Sequence, residues 1–379
     1  MYRITPILYG ITQQSSRQLS HASPRRPLLL FTGSLHSPQS SSNKPRSGSL
    51  KAYGGSAIAL GLISLSIYWV LYPSQPTNPS VLDKRRFQPF AIISKEPVSS
   101  NSSIYTLRPG SEHTSDPYAH LWARSIWSVE FKQPQLQIAR SYTPLPPTYL
   151  PGVPGDLRFL IRKEQNGEVS TYLDRLRIGA IVDIRGPKVE YEVPEGVSEV
   201  LFLAGGTGIA PALQVVYALL NKHAGDEMTG NMPKVHILWA NRRRECCAGG
   251  RRTAKSSWWS WGRPTAEDTP KEPPNRIVQD LQKLEKNLDG RVKVDYMVDE
   301  EGSFIGKSDI LKITSRSVKP LEGANPANPG TKLLLISGPD GFVDFYAGPR
   351  EWENGKLGQG HLGGLLGSLG LKDWTVVKL

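Results

Sequence analysis

Cysteine is nearly absent from this chain of 379 residues: it occurs twice, at the adjacent positions Cys246 and Cys247. An iron–sulfur cluster needs about four thiolate ligands, so this pair cannot hold one. Neither a CxxCH motif for covalent haem attachment nor a metal-ligand spacing occurs among the seven scattered histidines. The sequence therefore predicts a protein without a metal site of its own.

Acidic residues are absent from the first 82 positions, which are rich in serine and carry seven basic residues, all before position 52. This composition is typical of a mitochondrial transit peptide. Residues 1–50 are therefore predicted to be a presequence, with a disordered surface tail as the alternative. The formal net charge is +12, and subtracting those seven charges leaves +5 for the rest, too mild an excess to argue for nucleic acid binding.

One long run lacks any charge: residues 52–72, AYGGSAIALGLISLSIYWVLY. Its 21 positions are enough for a helix to cross a hydrocarbon core of about 30 Å, and aromatic residues near its end favour a membrane interface. A soluble helix would show a polar face. The pattern predicts an N-terminal transmembrane helix, followed by a proline-rich linker at 73–86.

The presequence and the single span together predict a single-pass protein of the mitochondrial inner membrane. The tail would lie in the matrix and the rest of the chain in the intermembrane space. Three basic residues also follow the span, at 84–86, so the flanking charges decide this orientation only in part.

Beyond residue 87 the spacing of apolar residues follows one pattern up to residue 193 and a different one from residue 194 onward. Strand-like runs separated by turns indicate an all-β domain at 87–193; they are 90–94, 103–107, 126–131, 136–142, 156–162 and 180–185. From 194 to 379, strands alternate with helical patterns, which favours a parallel sheet flanked by helices. In that part, a stripe at helical spacing is predicted to be core: Ile277, Leu281, Leu284 and Leu288.

Three short motifs carry the functional prediction. The first, Arg140–Pro144, ends a run in which Leu136 and Ile138 alternate with other residues, as in a strand. An arginine there offers a fork of donors suited to a pyrophosphate, and an aromatic ring offers a flat surface for another ring. An exposed arginine and a packed tyrosine are the alternative.

The second motif begins at Gly167, where a glycine turn leads into a short helix with Val169, Leu173 and Leu176 on its apolar side. Ser170 stands near the helix start, where free backbone N–H groups and the helix dipole favour an anion. An N-cap role for this serine is the alternative.

The third motif, Gly205–Pro211, follows a buried-strand pattern and opens an apolar-rich helix with a proline in its first turn. Its glycines allow backbone amides to approach a dinucleotide. The motif is not the usual GxGxxG fingerprint, and a tight structural turn is the alternative.

In this order, the three motifs resemble those of the flavoprotein pyridine nucleotide cytochrome reductases, the family of ferredoxin–NADP reductase and cytochrome b5 reductase. The likeness covers the chain from about residue 87 to Leu379. It implies an antiparallel six-stranded FAD-binding barrel followed by a parallel-sheet NAD(P)-binding domain, and an oxidoreductase that takes a hydride from NADPH or NADH and passes electrons on to a partner.

The resemblance also implies roles for individual residues. The FAD contacts are Arg140, Ser141, Tyr142 and Thr143, with Gly167, Val169 and Ser170 at the pyrophosphate. The nucleotide loop is Gly205, Gly206, Thr207, Gly208, Ile209 and Pro211, joined by Ser337, Gly338 and Pro339. Thr143 would lie near the reactive flavin nitrogen, while Thr207 and Ser337 would place the nicotinamide; these three are the catalytic candidates.

Two positions depart from the family. Ser337 stands where the family usually has the cysteine of a Cys-Gly-Pro motif, and Leu379 stands where many members end in an aromatic residue over the flavin. Both changes fall where hydride transfer would occur. Binding of the cofactors is therefore a safer expectation than fast turnover.

Basic residues follow the second strand pattern of the nucleotide domain, at Arg242, Arg243 and Arg244. An arginine at this place can hold the 2′-phosphate of NADPH, and a solvated basic loop is the alternative. An inserted loop at 245–275 adds Trp258, Trp259 and Trp261 among cations. Such residues suit a membrane surface or a docking partner, with disorder as the alternative.

The chain resembles the fungal cytochrome c mitochondrial import (haem-attachment) factors in combining a transit peptide, a single membrane span and a reductase module. This likeness implies that electrons pass to haem or a haem protein during attachment of haem to apocytochrome c. Two alternatives stay open: a general NADH–cytochrome b5 reductase-type enzyme, and a weakly active flavin-binding scaffold for cytochrome c biogenesis.

Overall fold

The computed structural model describes residues 81–147, 152–223, 233–251, 272–316, 330–353 and 355–379, which belong to one compact unit. The predicted presequence at 1–50 and the predicted transmembrane helix at 52–72 lie outside these ranges. Among the described residues, no helix is both long and apolar enough to cross a bilayer.

The first domain is an antiparallel sheet with the strand order β4-β3-β7-β1-β2-β6-β5. Its strands are β1 Gln88–Ser99, β2 Ser102–Pro109, β3 Ser125–Gln133, β4 Ile138–Tyr142, β5 Pro144–Leu145, β6 Leu157–Arg162 and β7 Ile181–Glu192. Two short helices accompany it, α1 Ala119–Trp122 and α2 Glu168–Arg175. The apolar residues that alternate along these strands fill one core, in which Trp127, Phe131 and Phe159 are almost fully buried.

One chain segment closes this sheet into a barrel. Strand β4 pairs with β3, with Tyr142 opposite Val129, whereas β5 pairs with β6, with Pro144 opposite Phe159. Only Thr143 separates the two, so residues 138–145 carry both edges of the sheet and join them covalently. Each of the six predicted runs overlaps a strand, and the sheet has a seventh strand, β5, which follows the fourth predicted run after Thr143.

The predicted run at 136–142 begins two residues too early. Leu136 is 56% exposed and lies in the turn between β3 and β4, where its N–H donates to Oε1 of Gln133 at 2.5 Å. Gln137 has a φ of 54°, which ends the extended conformation. The alternation of Leu136 and Ile138 is therefore that of a turn leading into a strand.

The second domain is a parallel five-stranded sheet with the order β10-β9-β8-β11-β14. Its strands are β8 Val197–Gly205, β9 Lys234–Asn241, β10 Val292–Val298, β11 Thr331–Ser337 and β14 Trp374–Lys378. Its helices are α3 Ile209–His223, α4 Arg276–Asn287, α5 Lys307–Arg316, α6 Asp340–Ala347 and α7 Gly364–Gly367, and a small hairpin joins β12 Trp352–Glu353 to β13 Lys356–Leu357.

Helices cover both faces of the parallel sheet. Residues of α3 and α4 pack in one core, including the predicted stripe, in which Ile277 and Leu281 are fully buried. Residues of α5, α6 and α7 pack in the other. Barrel residues Ile104, Ile126 and Leu160 belong to the first core, so the two domains share an apolar interface.

Polar contacts also join the domains. Arg158 of the barrel lies 3.8 Å from Asp280 on α4, and Glu245 accepts hydrogen bonds from the N–H and hydroxyl of Ser100 at 3.0 and 2.7 Å. The stems of the insertion after β9 lie together, because Asn275 N–H donates to Ala248 O at 3.1 Å. The predicted tryptophan cluster at 258–261 lies outside the described residues.

Candidate functional site

All three motifs contribute to one pocket of about 220 Å³ at the junction of the domains. Its lining residues are Arg140, Ser141, Tyr142, Leu160, Arg162, Glu164, Gly167, Glu168, Val169, Ser170 and Thr207. A larger groove of about 380 Å³ lies around His236 and Asp295. It contains no residue of the three motifs, so chemistry rather than size identifies the candidate site.

The start of α2 provides the anion-binding part of the pocket. Gly167 is the N-cap residue and supplies no side-chain hydrogen bond, so the first-turn N–H groups of Glu168, Val169 and Ser170 keep no intrahelical partner. A Cβ at Gly167 would collide with Oγ of Ser170, which explains the glycine. This end of the helix can receive a phosphate oxygen.

Ser170 is the third residue of the helix, not its N-cap. Its hydroxyl donates to Gly167 O at 3.1 Å and accepts from the N–H of Glu164 at 3.1 Å. The side chain is 5% exposed. Because its one proton is used within the turn, Ser170 can offer its backbone N–H to an anion, while its hydroxyl shapes the loop.

The first motif forms the opposite wall. Arg140 is exposed and lines the pocket, and its Nη1 donates to the carbonyl of its neighbour Ala139 at 3.1 Å. The Tyr142 ring packs edge-on against Phe131 at 4.9 Å between centroids. Burial raises the pKa of the Tyr142 phenol, so this hydroxyl remains a donor at neutral pH.

Arg162 is a pocket residue that the motifs did not predict. Its guanidinium bonds Oε1 of Glu164 at 2.7 and 2.6 Å, and a Cβ on Gly206 would lie 3.1 Å from Nη1. Arg162 ends strand β6 of the barrel and so reaches the glycine loop of the second domain. An arginine at the end of a strand-like run was the available signal.

The glycine loop lies at the point where the strand order reverses. Strands β8 and β11 are neighbours, with Ala204 opposite Ser337, and the connections from them lead in opposite directions along the sheet. In open α/β sheets, ligands bind in the crevice at the carboxyl ends of such strands. Gly205 to Pro211 and Ser337 to Pro339 therefore meet at one crevice.

Close packing explains why glycine occupies this crevice. A Cβ at Gly208 would collide with the carbonyl oxygen of Ser337, and one at Gly205 would lie 2.8 Å from the Phe342 ring. Gly206 has a φ of 54°, and its carbonyl accepts from Nε1 of Trp239 at 2.8 Å. The loop is thus held rigidly with its backbone open to the crevice.

The catalytic candidates occupy three places around this junction. Thr207 lines the pocket. Ser337 is 8% exposed at the end of β11, and Thr143 stands at the break between β4 and β5, next to Tyr142, outside the pocket lining. Leu379 donates its N–H to Ile336 O at 2.8 Å and so runs beside the strand that carries Ser337.

The three arginines after β9 have different surroundings. Arg244 forms a two-pronged ion pair with Glu301 at 2.8 and 2.6 Å. Arg243 contacts Glu245 at 3.2 Å and the hydroxyl of Ser100 at 3.4 Å. Arg242 is exposed and forms no ion pair within the described ranges. Of these three arginines, Arg242 therefore has its guanidinium available to a ligand at the carboxyl end of β9.

The adjacent cysteines follow these arginines in a short 3-10 turn. Burial raises the pKa of the Cys247 thiol to about 12, and burial also raises the pKa of Cys246. Thiols are nucleophiles and metal ligands only as thiolates. The raised pKa values therefore favour the protonated form of both thiols at neutral pH.

Comparisons with known proteins find a matching family for the barrel. Residues 89–193 match the family model of the oxidoreductase FAD-binding domain. The cytochrome c mitochondrial import factor CYC2 of Saccharomyces cerevisiae is 25% identical over 356 residues, covering 86% of this chain and 91% of its own length. NADH-cytochrome b5 reductase 1 of Scheffersomyces stipitis is 32% identical over 187 residues, 49% of this chain and 61% of that one.

The chain thus spans about half to three-fifths of the length of the first cytochrome b5 reductases that it matches. Among solved structures, the cytochrome b5 reductase domain of Ulva prolifera nitrate reductase is 17% identical, with a TM-score of 0.45 over 70% of this chain and 92% of that one.

Proposed function

We propose that this chain, which contains an FAD-binding oxidoreductase domain of the ferredoxin–NADP reductase and cytochrome b5 reductase family, is a membrane-anchored mitochondrial NAD(P)H-dependent reductase that passes electrons to a haem or a haem protein. Its role would be in attachment of haem to cytochrome c. The observation that carries the proposal is the meeting of the three motifs in one pocket beside the strand-order reversal.

The pocket residues fit FAD. Arg140 would supply a charged fork to the pyrophosphate and the first-turn N–H groups of α2 would supply further donors, the combination that dinucleotides bind elsewhere. Tyr142 would lie against the flavin ring and donate its hydroxyl. Glu164 now holds Arg162, so a bound pyrophosphate would compete with this carboxylate for the guanidinium.

The second crevice fits a nicotinamide nucleotide. Gly205, Gly206 and Gly208 would let its phosphates approach the backbone, and Thr207 is shared with the flavin pocket. Because one residue belongs to both sites, the two ligands would be neighbours. Arg242 favours NADPH through its free guanidinium, although the b5 reductase relatives are named for NADH.

Catalysis would depend on orientation rather than on a side-chain acid or base. When bound, FAD supplies the conversion of a hydride into single electrons. Thr207 and the buried Ser337 would fix the nicotinamide end of the donor, and Thr143 would offer a hydroxyl at the edge of the flavin ring. Such positioning is worth several kcal/mol when the reacting atoms are held about 3–3.5 Å apart.

The acceptor and the location are inferred from likeness. Similarity to a cytochrome c mitochondrial import factor over 86% of the chain, together with the predicted presequence and span, supports the mitochondrial inner membrane, with the reductase facing the intermembrane space. The relatives named for cytochrome b5 support the second candidate, a general reductase of a haem carrier. Ser337, at the place where the family usually has a cysteine, supports the third, a weakly active flavin-binding scaffold.

One experiment separates the three. The flavin-loaded full chain is mixed anaerobically with NADPH or NADH, and the flavin absorbance is followed; haem, cytochrome b5 or ferricyanide is then added. Bleaching followed by reoxidation with haem supports the proposal. Reoxidation by cytochrome b5 but not by haem indicates the general reductase, and no bleaching with either nucleotide indicates the scaffold. A preparation that takes up no FAD contradicts all three.

A further inference from the structure

The chain that leaves the predicted membrane span is fixed to the barrel almost at once. Leu82 is 3% exposed and belongs to the barrel core. The carbonyl of Asp83 accepts from the N–H of Gly186 at 3.0 Å. The carboxylate of Asp83 folds the next turn by accepting from the N–H groups of Arg85 and Arg86 at 2.6 and 3.1 Å. The predicted linker at 73–86 is therefore part of the folded domain from residue 82 onward.

This fixed turn presents a cluster of cations, here called the tether patch: Lys84, Arg85, Arg86, Lys132 and Arg185. The first three are consecutive and exposed, and they form no ion pair in the described parts of the chain. The ring of Phe87 lies between Arg185, at 4.6 Å, and Lys132, at 5.5 Å. Among the described residues, Asp83 and Glu130 contact the patch, and both carboxylates are already engaged, Asp83 with the turn and Glu130 with Arg185.

Chain length limits how far this patch can be from the membrane. Eight residues, 73–80, separate the end of the uncharged run from Val81. Even fully extended they reach only about 30 Å. A folded domain on so short a connection has one side close to the bilayer, and that side includes the point where the chain enters the barrel.

We propose that the tether patch binds the phosphate headgroups of an anionic lipid surface and so sets which side of the reductase faces the bilayer. The proposal rests on the membrane anchor in the proposed function. Each basic residue near an anionic surface contributes attraction that fades within a Debye length of about 8 Å. Arginine suits phosphate especially, because its planar fork can bind two oxygens. Lys84, Arg85 and Arg86 lie beside the short connection to the predicted span, so they are close to the surface. They are also exposed and without ion pairs among the described residues, so they are free to bind phosphate.

This arrangement would bring the flavin pocket to the lipid surface as well. Glu130, which forms an ion pair with Arg185 of the patch, pairs with Ser141 across strands β3 and β4, and Ser141 lines the pocket. Paired residues on neighbouring strands point to the same face of a sheet. Binding of lipid by the patch would thus place the pocket opening beside the membrane. A haem carrier held at the same surface would meet the reductase there.

The test uses the flavin-loaded full chain in nanodiscs of phosphatidylcholine alone or of phosphatidylcholine mixed with phosphatidylglycerol. Hydrogen exchange of the amides at 83–87 and 185–186 is measured in both. We expect these amides to exchange about fivefold or more slowly in the anionic discs, the factor that one surface cation contributes, and the difference to vanish at high salt. Substituting Lys84→Gln, Arg85→Gln and Arg86→Gln should abolish it.

A matched triple, Lys283→Gln, Lys286→Gln and Lys312→Gln, removes the same charge from exposed positions of the other domain and should leave the difference intact. Equal exchange in the two lipids, with the chain stably inserted, overturns the patch and leaves the anchor standing. A chain that does not insert into phosphatidylcholine bilayers overturns both. Equal protection by soluble polyglutamate in zwitterionic discs would assign the patch to an acidic protein and overturn the lipid proposal.

Discussion

The side-chain amide of Gln214 and the backbone of Trp127 form a two-way hydrogen bond across the domain boundary. The N–H of Trp127 donates to Oε1 of Gln214 at 2.9 Å, and Nε2 of Gln214 donates to the carbonyl of Trp127 at 3.2 Å. The same Nε2 donates to Pro144 O at 2.8 Å. Gln214 is 1% exposed and lies on the helix that begins with the glycine loop, so it ties that loop to the barrel.

Replacing this amide should weaken the domain contact. Gln214→Leu removes a hydrogen-bond partner from three buried backbone groups, and we expect the free energy of unfolding in urea to fall by about 2 kcal/mol or more. Reduction of the flavin by the nucleotide should also slow, because the glycine loop is no longer held in a fixed position relative to the barrel. Gln279→Leu, on the exposed side of α4, is the control. Unchanged stability in Gln214→Leu would contradict this role.

Gly208 should not tolerate a methyl group. The added Cβ of Gly208→Ala would collide with Ser337 O, which forces β8 and β11 apart or displaces the loop. We expect flavin reduction to slow up to about 100-fold through misplacement of the donor, with bound flavin retained. Stopped-flow absorbance measures both. A Cβ at Gly341 has no atom within 4 Å, so Gly341→Ala should show an unchanged rate of flavin reduction. An unchanged rate in Gly208→Ala would contradict nucleotide binding in this crevice.

Arg140 should hold FAD. Removing a charge-assisted hydrogen bond to the pyrophosphate should weaken FAD binding about tenfold to a hundredfold, so Arg140→Ala should be purified mostly without flavin. Absorbance at the flavin band against protein absorbance gives the occupancy. Arg177→Ala, an exposed arginine beyond α2, should retain full colour. Equal occupancy in both variants would count against the assigned role.

Arg242 should set the nucleotide preference. If its guanidinium binds a 2′-phosphate, Arg242→Ala should raise the KM for NADPH about tenfold or more and leave that for NADH unchanged. Arg243→Ala is the comparison, because Arg243 already contacts Glu245 and Ser100. Comparable KM values for the two nucleotides in the unsubstituted protein would end this idea.

Asp174 should make stability depend on acid. It binds Lys163 at 2.7 Å and Lys95 at 3.3 Å, and the hydrogen bond from Lys163, followed by that from Lys95, holds the pKa of Asp174 below its ordinary value of 3.8 against the opposing effect of burial. A lowered folded pKa contributes stability above the unfolded pKa and loses it as pH falls through the folded one.

The Asp174→Asn variant should therefore be less stable than the parent at pH 7, and the gap in urea midpoint should close as the pH is lowered from about 5 toward 2. Asp373→Asn, at an exposed turn, controls for general effects of charge removal. A gap that stays constant across this range would show that Asp174 acts by packing rather than by its charge.

Local chemistry made the motifs predictable. Gly167 and Pro211 occupy positions that need a glycine turn and a first helical turn, and both lie where the sequence placed them. Each motif lies where a strand or a helix begins or ends, and residues of all three line one pocket. The change from an all-β to a parallel-sheet pattern predicts a domain boundary at 193–194; β7 ends at Glu192 and β8 begins at Val197.

Features that depend on distant partners could not be read in the same way. Leu82 looked like part of a linker because its burial depends on barrel residues far along the chain. The division of a strand at Thr143 depends on β6, which offers Pro144 a second partner. Arg162 and Gln214 act through groups of the other domain, and no spacing within their own segments reports such contacts.

The segment 138–145, which joins the two edges of the barrel, couples ligand binding in the pocket to the stability of the barrel. This segment joins the two edges of the barrel, and its residues Arg140, Ser141 and Tyr142 line the pocket. Release of FAD from this pocket and separation of the two edges would therefore be linked equilibria. A saturating ligand then shifts melting by mass action. Substitutions in this segment should therefore change the affinity for FAD and the melting temperature together. The absorbance of bound flavin would then report whether the barrel is closed.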